Sequence, residues 1–356
     1  MLGAGGIIAP AIVRDLAESD EVTHLKLLDL DEERARATGQ AHAPGAEVQR
    51  VDPDGGLGYL LSGVDVLVNS ASYRVNLDAM RACLEAGCHY IDLGGLYHLT
   101  TRQLELDDDF TIVGKLALLG MGSSPGKTNV MGVRAVEELG ETPELMDVYA
   151  AGRDLDPPDG PSYPYAPRTL VDELTEPPMA LRGGQPVALE AMQDGGTYPF
   201  PDPIGQGSSI YTLHSEVRTF GDSFGCADCS FRLSLAPAVL ERVQGLAGAG
   251  EEAIAAAAAE AVPSSGRTVS VHVVTARAGD RLVTVTAKTQ GMEDWGIGGG
   301  IVSTAAPAAA AVRLLARGAI DAVGAMPPER CVRPEDLFPE LQRRNCTFDV
   351  TSEEAK

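Results

Sequence analysis

Residues 1–10 read MLGAGGIIAP. Gly3 and Gly5 have the spacing of the first two glycines in the dinucleotide fingerprint GxGxxG. The first permits a tight turn and the second lets the backbone approach a pyrophosphate. Gly6 adds a third small residue. Ile8 stands where the third fingerprint glycine belongs, a departure that loosens helix-to-strand packing without abolishing phosphate binding. The helix that follows offers N–H groups and a positive dipole end to an anion. Such a turn normally follows a buried strand, and here only Met1 and Leu2 precede it. The expectation is a first strand that survives as a stub or that starts upstream of this numbering.

A second strand, VTHLKLLDLD, ends in carboxylates, and Asp29 lies 24 residues beyond Gly5. An acidic residue about 20 residues after the turn accepts hydrogen bonds from the ribose hydroxyls. Asp31, just before EERA, reads instead as a helix N-cap. A carboxylate at Asp29 repels a 2′-phosphate, so NAD is expected over NADP. Arg34 and Arg36 on the next helix oppose this, and they are placed too far round the helix to outweigh Asp29. Ile7, Ile8, Leu30 and Asp52 complete the expected cofactor neighbourhood near these turns.

The first 120 or so residues go on alternating strand and helix. Residues 7–19 place Ile8, Ile12 and Leu16 on one helical face. DEERARATGQAHA and NLDAMRACLEAGC are further helices, the latter turning Leu77, Met80 and Leu84 inward. VDVLVNSAS, HYIDLGG and TIVGKLALLGMGSSPG supply strands. This order predicts a doubly wound parallel sheet of Rossmann type. From about residue 126 the texture changes. LMDVYAAGR, SIYTLHSEVRTF, CSFRLSLA, TVSVHVVTAR and DRLVTVTAKTQG alternate with period two, punctuated by the helices TNVMGVRAVEEL and GEEAIAAAAAEAV. The expected organisation is a nucleotide-binding domain over 1–125, an α+β substrate and dimerisation domain over 126–300, and C-terminal helices over 301–356 that return to the first domain.

Composition narrows the function classes. The chain of 356 residues carries a net charge of −23, which disfavours nucleic acid and anionic membranes as partners. The stretch GIGGGIVSTAAPAAAAV is rich in Gly, Ala, Ser and Thr and reads as a loop running into a tightly packed helix, not as a membrane span. The six cysteines read as reduced thiols of a cytoplasmic protein. CADC (Cys226 to Cys229) has no second pair at zinc spacing, so it reads as a strand entry, and no metal is expected.

In an open parallel sheet, ligands bind beyond the carboxyl ends of the strands. Asn69, Ser70 and Ala71 are small or polar enough for a nicotinamide ribose to lie against backbone, and Gly94 and Gly95 let the chain pass close to the ring. Tyr97 and His98 then enter as acid–base candidates. Lys127, in GSSPGKTN, is either a substrate-directed charge or a solvated loop lysine. In YTLHSEVRTF, His214, Glu216 and Arg218 share one strand face. That face belongs either to a plain amphipathic strand or to a cleft in which Arg218 pairs a substrate carboxylate. Tyr163, Tyr165 and Arg168 cluster in SYPYAPRTLVDELTEPP as a cleft gate or a surface loop.

GAGGIIAP, DVLVNSAS, GCHYIDLGG, GMGSSPGKTNVMG, YTLHSEVRTF and PPERCVRPEDLFPEL, in this order along nearly the whole chain, resemble the saccharopine dehydrogenase family. That family includes saccharopine reductase, lysine 6-dehydrogenase and carboxynorspermidine dehydrogenase. The resemblance extends to Pro10, seven residues after Gly3, and to the missing third glycine. It implies a Rossmann domain with an inserted substrate domain, a homodimer, and hydride transfer between nicotinamide and a C–N bond of an amino acid or amine. No subfamily's substrate residues map cleanly onto SYPYAPRTLVDEL or MEDWGIGGG, so it implies the reaction class and not the substrate. Asp29 looks more like the NAD-using lysine 6-dehydrogenase side. Two alternatives stay open: a polyamine-forming reductase of the carboxynorspermidine type, and a nucleotide-binding protein without catalysis.

Overall fold

The computed structural model describes residues 1–51 and 56–354. It divides into two compact units, 1–127 with 304–341, and 128–303 with 342–356.

The first unit is built on parallel strands. Gly324–Met326, Leu116–Leu118, His89–Asp92 and Val66–Asn69 follow one another in that order, and Lys26–Asp29 pairs with Glu47–Arg50. Leu2 joins the two sets, bridging in parallel to Asn69 on one side and Leu28 on the other. Its N–H donates to Val68 O at 2.9 Å and its carbonyl accepts from Ser70 N at 2.9 Å. The strands follow the doubly wound order with Leu2 in the central place. Helix Ala9–Ala17 runs on from the glycine turn and buries Ile12 and Leu16. Helix Glu32–His42 is capped by Asp31, whose Oδ1 accepts from Arg34 N at 3.1 Å. Helix Asn76–Ala86 ends on Gly87 in the left-handed conformation, a position glycine occupies without the Cβ clash of other residues. It sends Met80 and Cys83 into a core with Leu28, Leu67, Tyr90 and Phe110. The stretch TIVGKLALL is not strand throughout: Thr111 and Ile112 close the helix Asp107–Ile112, Gly114 breaks the chain at φ +66°, and only Leu116–Leu118 pairs.

The second unit carries a mixed sheet. Its main path runs Cys346–Glu354, Arg281–Thr289, Thr268–Ala278, Leu145–Asp154, Asp228–Ser234, Gln206–Tyr211 and Asp194–Pro199, with Met179–Arg182 and Gln185–Ala188 attached at one side. Leu145–Asp154 and Asp228–Ser234 run parallel, and the other pairings are antiparallel.

Two expectations are corrected by this sheet and the helix beside it. YTLHSEVRTF is not one strand. Pairing stops at Tyr211, and Glu216–Phe224 is a helix that buries Val217 and Phe220 one turn apart. The spacing 214, 216, 218 fits a strand face, but the apolar pair at 217 and 220 has helical period, and that pair is what the core takes up. The tail also differs. Residues 304–341 lie in the first unit, but Cys346–Glu354 is a strand paired along its whole length with Arg281–Thr289 in the second. Its alternating Cys346, Phe348 and Val350 are the period-two signal for that strand. The alanine-rich stretch is helix Gly299–Ala316. It is long and apolar enough by composition to cross a membrane, and 72% of its most apolar window is buried inside the protein.

Candidate nucleotide-binding site

The glycine turn is shaped by close approach. Gly3 has φ +80°, and a Cβ there would lie 2.4 Å from Ala71 N. Only glycine meets both demands. A Cβ on Gly5 would lie 2.9 Å from the Cβ of Arg34 and 3.2 Å from Asp29 Oδ2. Gly6 N–H donates to Gly3 O at 3.1 Å and closes the turn. No side chain caps the helix Ala9–Ala17, which leaves its first N–H groups available to an anion. Ile7 and Leu30 flank this turn with 43% and 57% of their surface exposed, apolar groups beside which an adenosine can lie. Ile8 is the residue before the helix, with its carbonyl accepting from Ile12 N.

Asp29 is locked to the turn. Its Oδ2 accepts from Gly5 N at 2.8 Å and its Oδ1 from Asp31 N at 2.9 Å. The carboxylate thus sits at the end of the strand Lys26–Asp29, half-buried, with lone pairs left over for hydroxyl donors. An open cleft lined by Leu30, Asp31, Glu32, Glu33 and Arg50 adjoins it. Arg34 stands closer to the turn than its helical position suggests, because Gly5 packs against its Cβ. Arg36 is engaged with Glu32. Asp52 lies outside the described residues.

On the other side of Leu2 the strand ends are tied by a buried polar network. Asn69 Nδ2 donates to Asn76 Oδ1 at 2.9 Å and to Tyr90 Oη at 3.2 Å, and its Oδ1 accepts from Ala71 N at 3.1 Å. Asn76 Nδ2 donates to Asp92 Oδ2 at 3.0 Å and to Gly94 O at 3.1 Å. Asp92 also accepts from Gly94 N, Gly120 N and Gln103 Nε2. Burial pushes the Asp92 carboxyl up, and these donors oppose the shift. Ser70 Oγ donates to the carbonyls of Leu2 and Gly3, so its hydroxyl serves the turn. The Cβ direction of Gly94 is filled by Pro125 at 2.9 Å and that of Gly95 by Gln103 Oε1 at 2.2 Å. Packing within the protein therefore already calls for glycine at Gly94, which also has φ +134°, whereas at Gly95 the tip of the Gln103 side chain can yield to a Cβ.

Tyr97 and His98 stand in the first turn of the helix Leu96–Leu104, their rings in edge contact at 5.2 Å; Tyr97 is half-buried and His98 exposed. Lys127 is 1% exposed, which removes the solvated-loop reading.

His214 and Arg218 belong to the second unit. His214 is 4% exposed and stacks on Phe231 at 3.5 Å. Its Nδ1 lies 3.3 Å from Glu216 Oε2 and its Nε2 lies 3.9 Å from Glu173 Oε1. Thr128 Oγ1 donates to Glu216 Oε1 at 2.7 Å, and Tyr165 Oη donates to Glu173. Burial alone would lower the His214 imidazole, but Glu216, by charge and hydrogen bond, outweighs it and the net shift is upward. Burial raises Glu173, with His214 opposing. Arg218 pairs with Asp222 on the helix surface at 2.5 Å instead of sharing a strand face with His214. Arg168 pairs with Asp172 and Glu251, and Tyr163 is buried. Sequence patterns do not single out Asn76, Gln103 or Glu173 as site residues, and they place Asp92 only at the start of the strand-end segment DLGGLYH, without a role. Of these, Asp92 alone carries a usable signal, as a carboxylate ending an apolar strand like Asp29. Among the described residues, no group of three or more His, Cys, Asp or Glu side chains is placed to hold a metal.

Known proteins share this architecture. Residues 1–118 match the family of the saccharopine dehydrogenase NADP binding domain. A carboxyaminopropylagmatine dehydrogenase from Synechocystis sp. is 33% identical over 92 residues, which is 24% of this chain and 23% of that protein. The match thus spans about a quarter of the relative's length. The solved structure of apo saccharopine dehydrogenase (L-Glu forming) from Saccharomyces cerevisiae overlays with a TM-score of 0.71 at 14% identity, covering 99% of this chain and 98% of that one. The glycine turn, the locked carboxylate and the strand order agree with these matches: residues 1–118 are similar to the saccharopine dehydrogenase NADP-binding domain family, and the chain as a whole has the fold of saccharopine dehydrogenase.

Proposed function

We propose that the protein is a pyridine-nucleotide-dependent dehydrogenase acting on a C–N bond of an amino acid or amine, by oxidation to an imine or by the reverse reductive amination. The observation that carries this reading is the pairing of a built nucleotide turn with a chain-long saccharopine dehydrogenase fold. When bound, the nicotinamide accepts or supplies the hydride. The chain supplies the rest. Gly3, Gly5 and Gly6 admit the pyrophosphate, Asp29 orients the ribose, and the Asn69–Ala71 and Gly94 segments border the far half. His98 moves the proton, since it is exposed whereas His214 is enclosed by Glu216, Glu173 and Phe231.

The cofactor we read as NAD. Asp29 is held rigidly with spare acceptor capacity, and a 2′-phosphate meets it and Asp31 at once. Arg34 beside Gly5 favours NADP, as does the NADP-binding family that residues 1–118 match. Titration of both oxidised cofactors decides it: tighter NADP binding overturns the NAD reading, and Asp29→Ser should weaken NAD and narrow the gap. The activity is tested by following NAD reduction with lysine, saccharopine and polyamines. The His98→Asn variant should then lose roughly 10²–10⁴-fold in turnover with nucleotide affinity unchanged. Binding without turnover across such a panel would instead support a non-catalytic nucleotide-binding protein.

The match to the carboxyaminopropylagmatine dehydrogenase supports a second reading, a polyamine-forming reductase. It is distinguished by reductive turnover on a polyamine and not on an amino acid. We also read the protein as a cytoplasmic homodimer. Six free thiols support a reducing compartment and the family resemblance supports the dimer, which light scattering tests directly.

A further inference from the structure

Asp92 ends the strand His89–Asp92 and is 1% exposed. Four N–H groups converge on its carboxylate. Oδ1 accepts from Gly94 N at 2.9 Å and Gly120 N at 2.7 Å, and Oδ2 accepts from Asn76 Nδ2 at 3.0 Å and Gln103 Nε2 at 2.6 Å. Each of these N–H groups donates and does not accept, and the Tyr90 hydroxyl also bonds to the carboxyl, so the arrangement suits a carboxylate better than a neutral amide. No ion pair offsets this charge among the described residues, and a buried carboxylate held only by neutral dipoles is costly. A core that needed only filling would not carry it.

The donors come from four separate pieces of chain. They are the turn after the strand, the segment after Leu116–Leu118, and the helices Asn76–Ala86 and Leu96–Leu104. The Asp92 backbone adds a fifth tie, accepting from Met121 N at 2.6 Å. Asn76 extends the chain of contacts to Asn69, whose Oδ1 fixes Ala71 N, the atom against which Gly3 is packed. Every segment so held lies at the carboxyl ends of the strands on the side of Leu2 away from Asp29. In a doubly wound sheet a dinucleotide lies across the central strand, one half on each side. Asp29 takes the adenosine side, and Asp92 governs the walls of the other.

We infer that Asp92 is a positioning residue for the nicotinamide half of the cofactor, holding the Ala71, Gly94 and Gly120 segments in register. This rests on the nucleotide-binding reading of the first unit. Asp92→Asn places an NH₂ group against two of the four donors and releases the segments they hold.

The test compares two ligands by calorimetric titration of the full-length protein: ADP, which reports the adenosine side, and the reduced dinucleotide, which reports both. Asp92→Asn should weaken the reduced dinucleotide about tenfold or more and leave ADP within about twofold. The emission anisotropy of the reduced nicotinamide should fall in the bound complex as its ring loosens. Gln103→Leu removes a single donor and should shift the same readouts in the same direction by less, which keeps the test available if Asp92→Asn does not fold. Asp15→Asn, equally buried in the same unit and bonded to Arg313, serves as the control. It should lower melting temperature without separating the two ligands. Equal weakening of both ligands by Asp92→Asn, or of neither, overturns the proposal while leaving the nucleotide site intact as a reading. Failure of the unaltered protein to bind either ligand overturns both.

Discussion

In the first unit Asp92 is buried against N–H groups of loops and amide side chains, whereas in the second Glu173 and Glu216 are buried on either side of His214. Both arrangements satisfy carboxylates away from water, with different consequences. Neutral donors from separate loops and helices bring no counter-charge and tie the backbone segments together. A histidine shared between two carboxylates cancels charge and joins elements: helix Pro167–Thr175 through Glu173, helix Glu216–Phe224 through Glu216, and Thr128 beyond it. On the reading proposed above, the chemistry of the partner distinguishes a polar network that shapes a site from one that holds a domain.

The largest effect is expected from His214→Leu. It leaves Glu173 and Glu216 facing each other without their shared cation, and breaking a buried charged cluster costs about 3–5 kcal/mol. Urea unfolding at neutral pH measures it. A loss below about 1 kcal/mol would mean that the two carboxylates do not depend on the histidine, and the contrast between the units would collapse.

A smaller effect is expected in the pH profile. His214 is raised above 6.5 in the folded state, so its contribution is fully present below that pH and lost as pH rises through the raised value. Glu173 is raised above 4.5, and a carboxyl raised by folding likewise loses stability with rising pH. The opposite limb belongs to the first unit. There the hydrogen bond from Arg317 holds Glu21 down to about 2, stability that is full above 4.5 and is lost as pH falls toward that value. Melting temperatures from pH 6 to 9 should fall for the unaltered protein and stay flatter for His214→Leu. Parallel curves would sink the assignment of the alkaline limb to His214.

The smallest effect sharpens the comparison by showing what an exposed pair does. Arg36 and Glu32 lie one turn apart with 53% and 41% of their side chains exposed. Arg36→Ala should change stability by less than about 0.5 kcal/mol. A loss several times larger would show that surface charge matters here as much as the buried clusters do.

Much of the first unit is legible in the chain itself. The glycine turn, the strand ending at Asp29, the Asp31 cap and the strand–helix alternation are local patterns whose physics acts within a few residues. The second unit yields less. Its strands are visible by period two, but Glu216–Phe224 is hidden because polar residues at 214, 216 and 218 imitate a strand face. The closing strand Cys346–Glu354 takes its meaning only from its pairing with Arg281–Thr289.

By itself, the sequence determined the parallel α/β class, the position of the glycine turn and the carboxylate that ends the second strand, because turn geometry, capping and amphipathic period are set by neighbours along the chain. Only the tertiary structure decided that Leu2 takes the central strand position, that Asp92 gathers donors from residues 76, 94, 103 and 120, and that His214 sits between Glu173 and Glu216. Those contacts join residues distant along the chain, where side-chain type states what a group can bond to but not which partner folding will bring within reach.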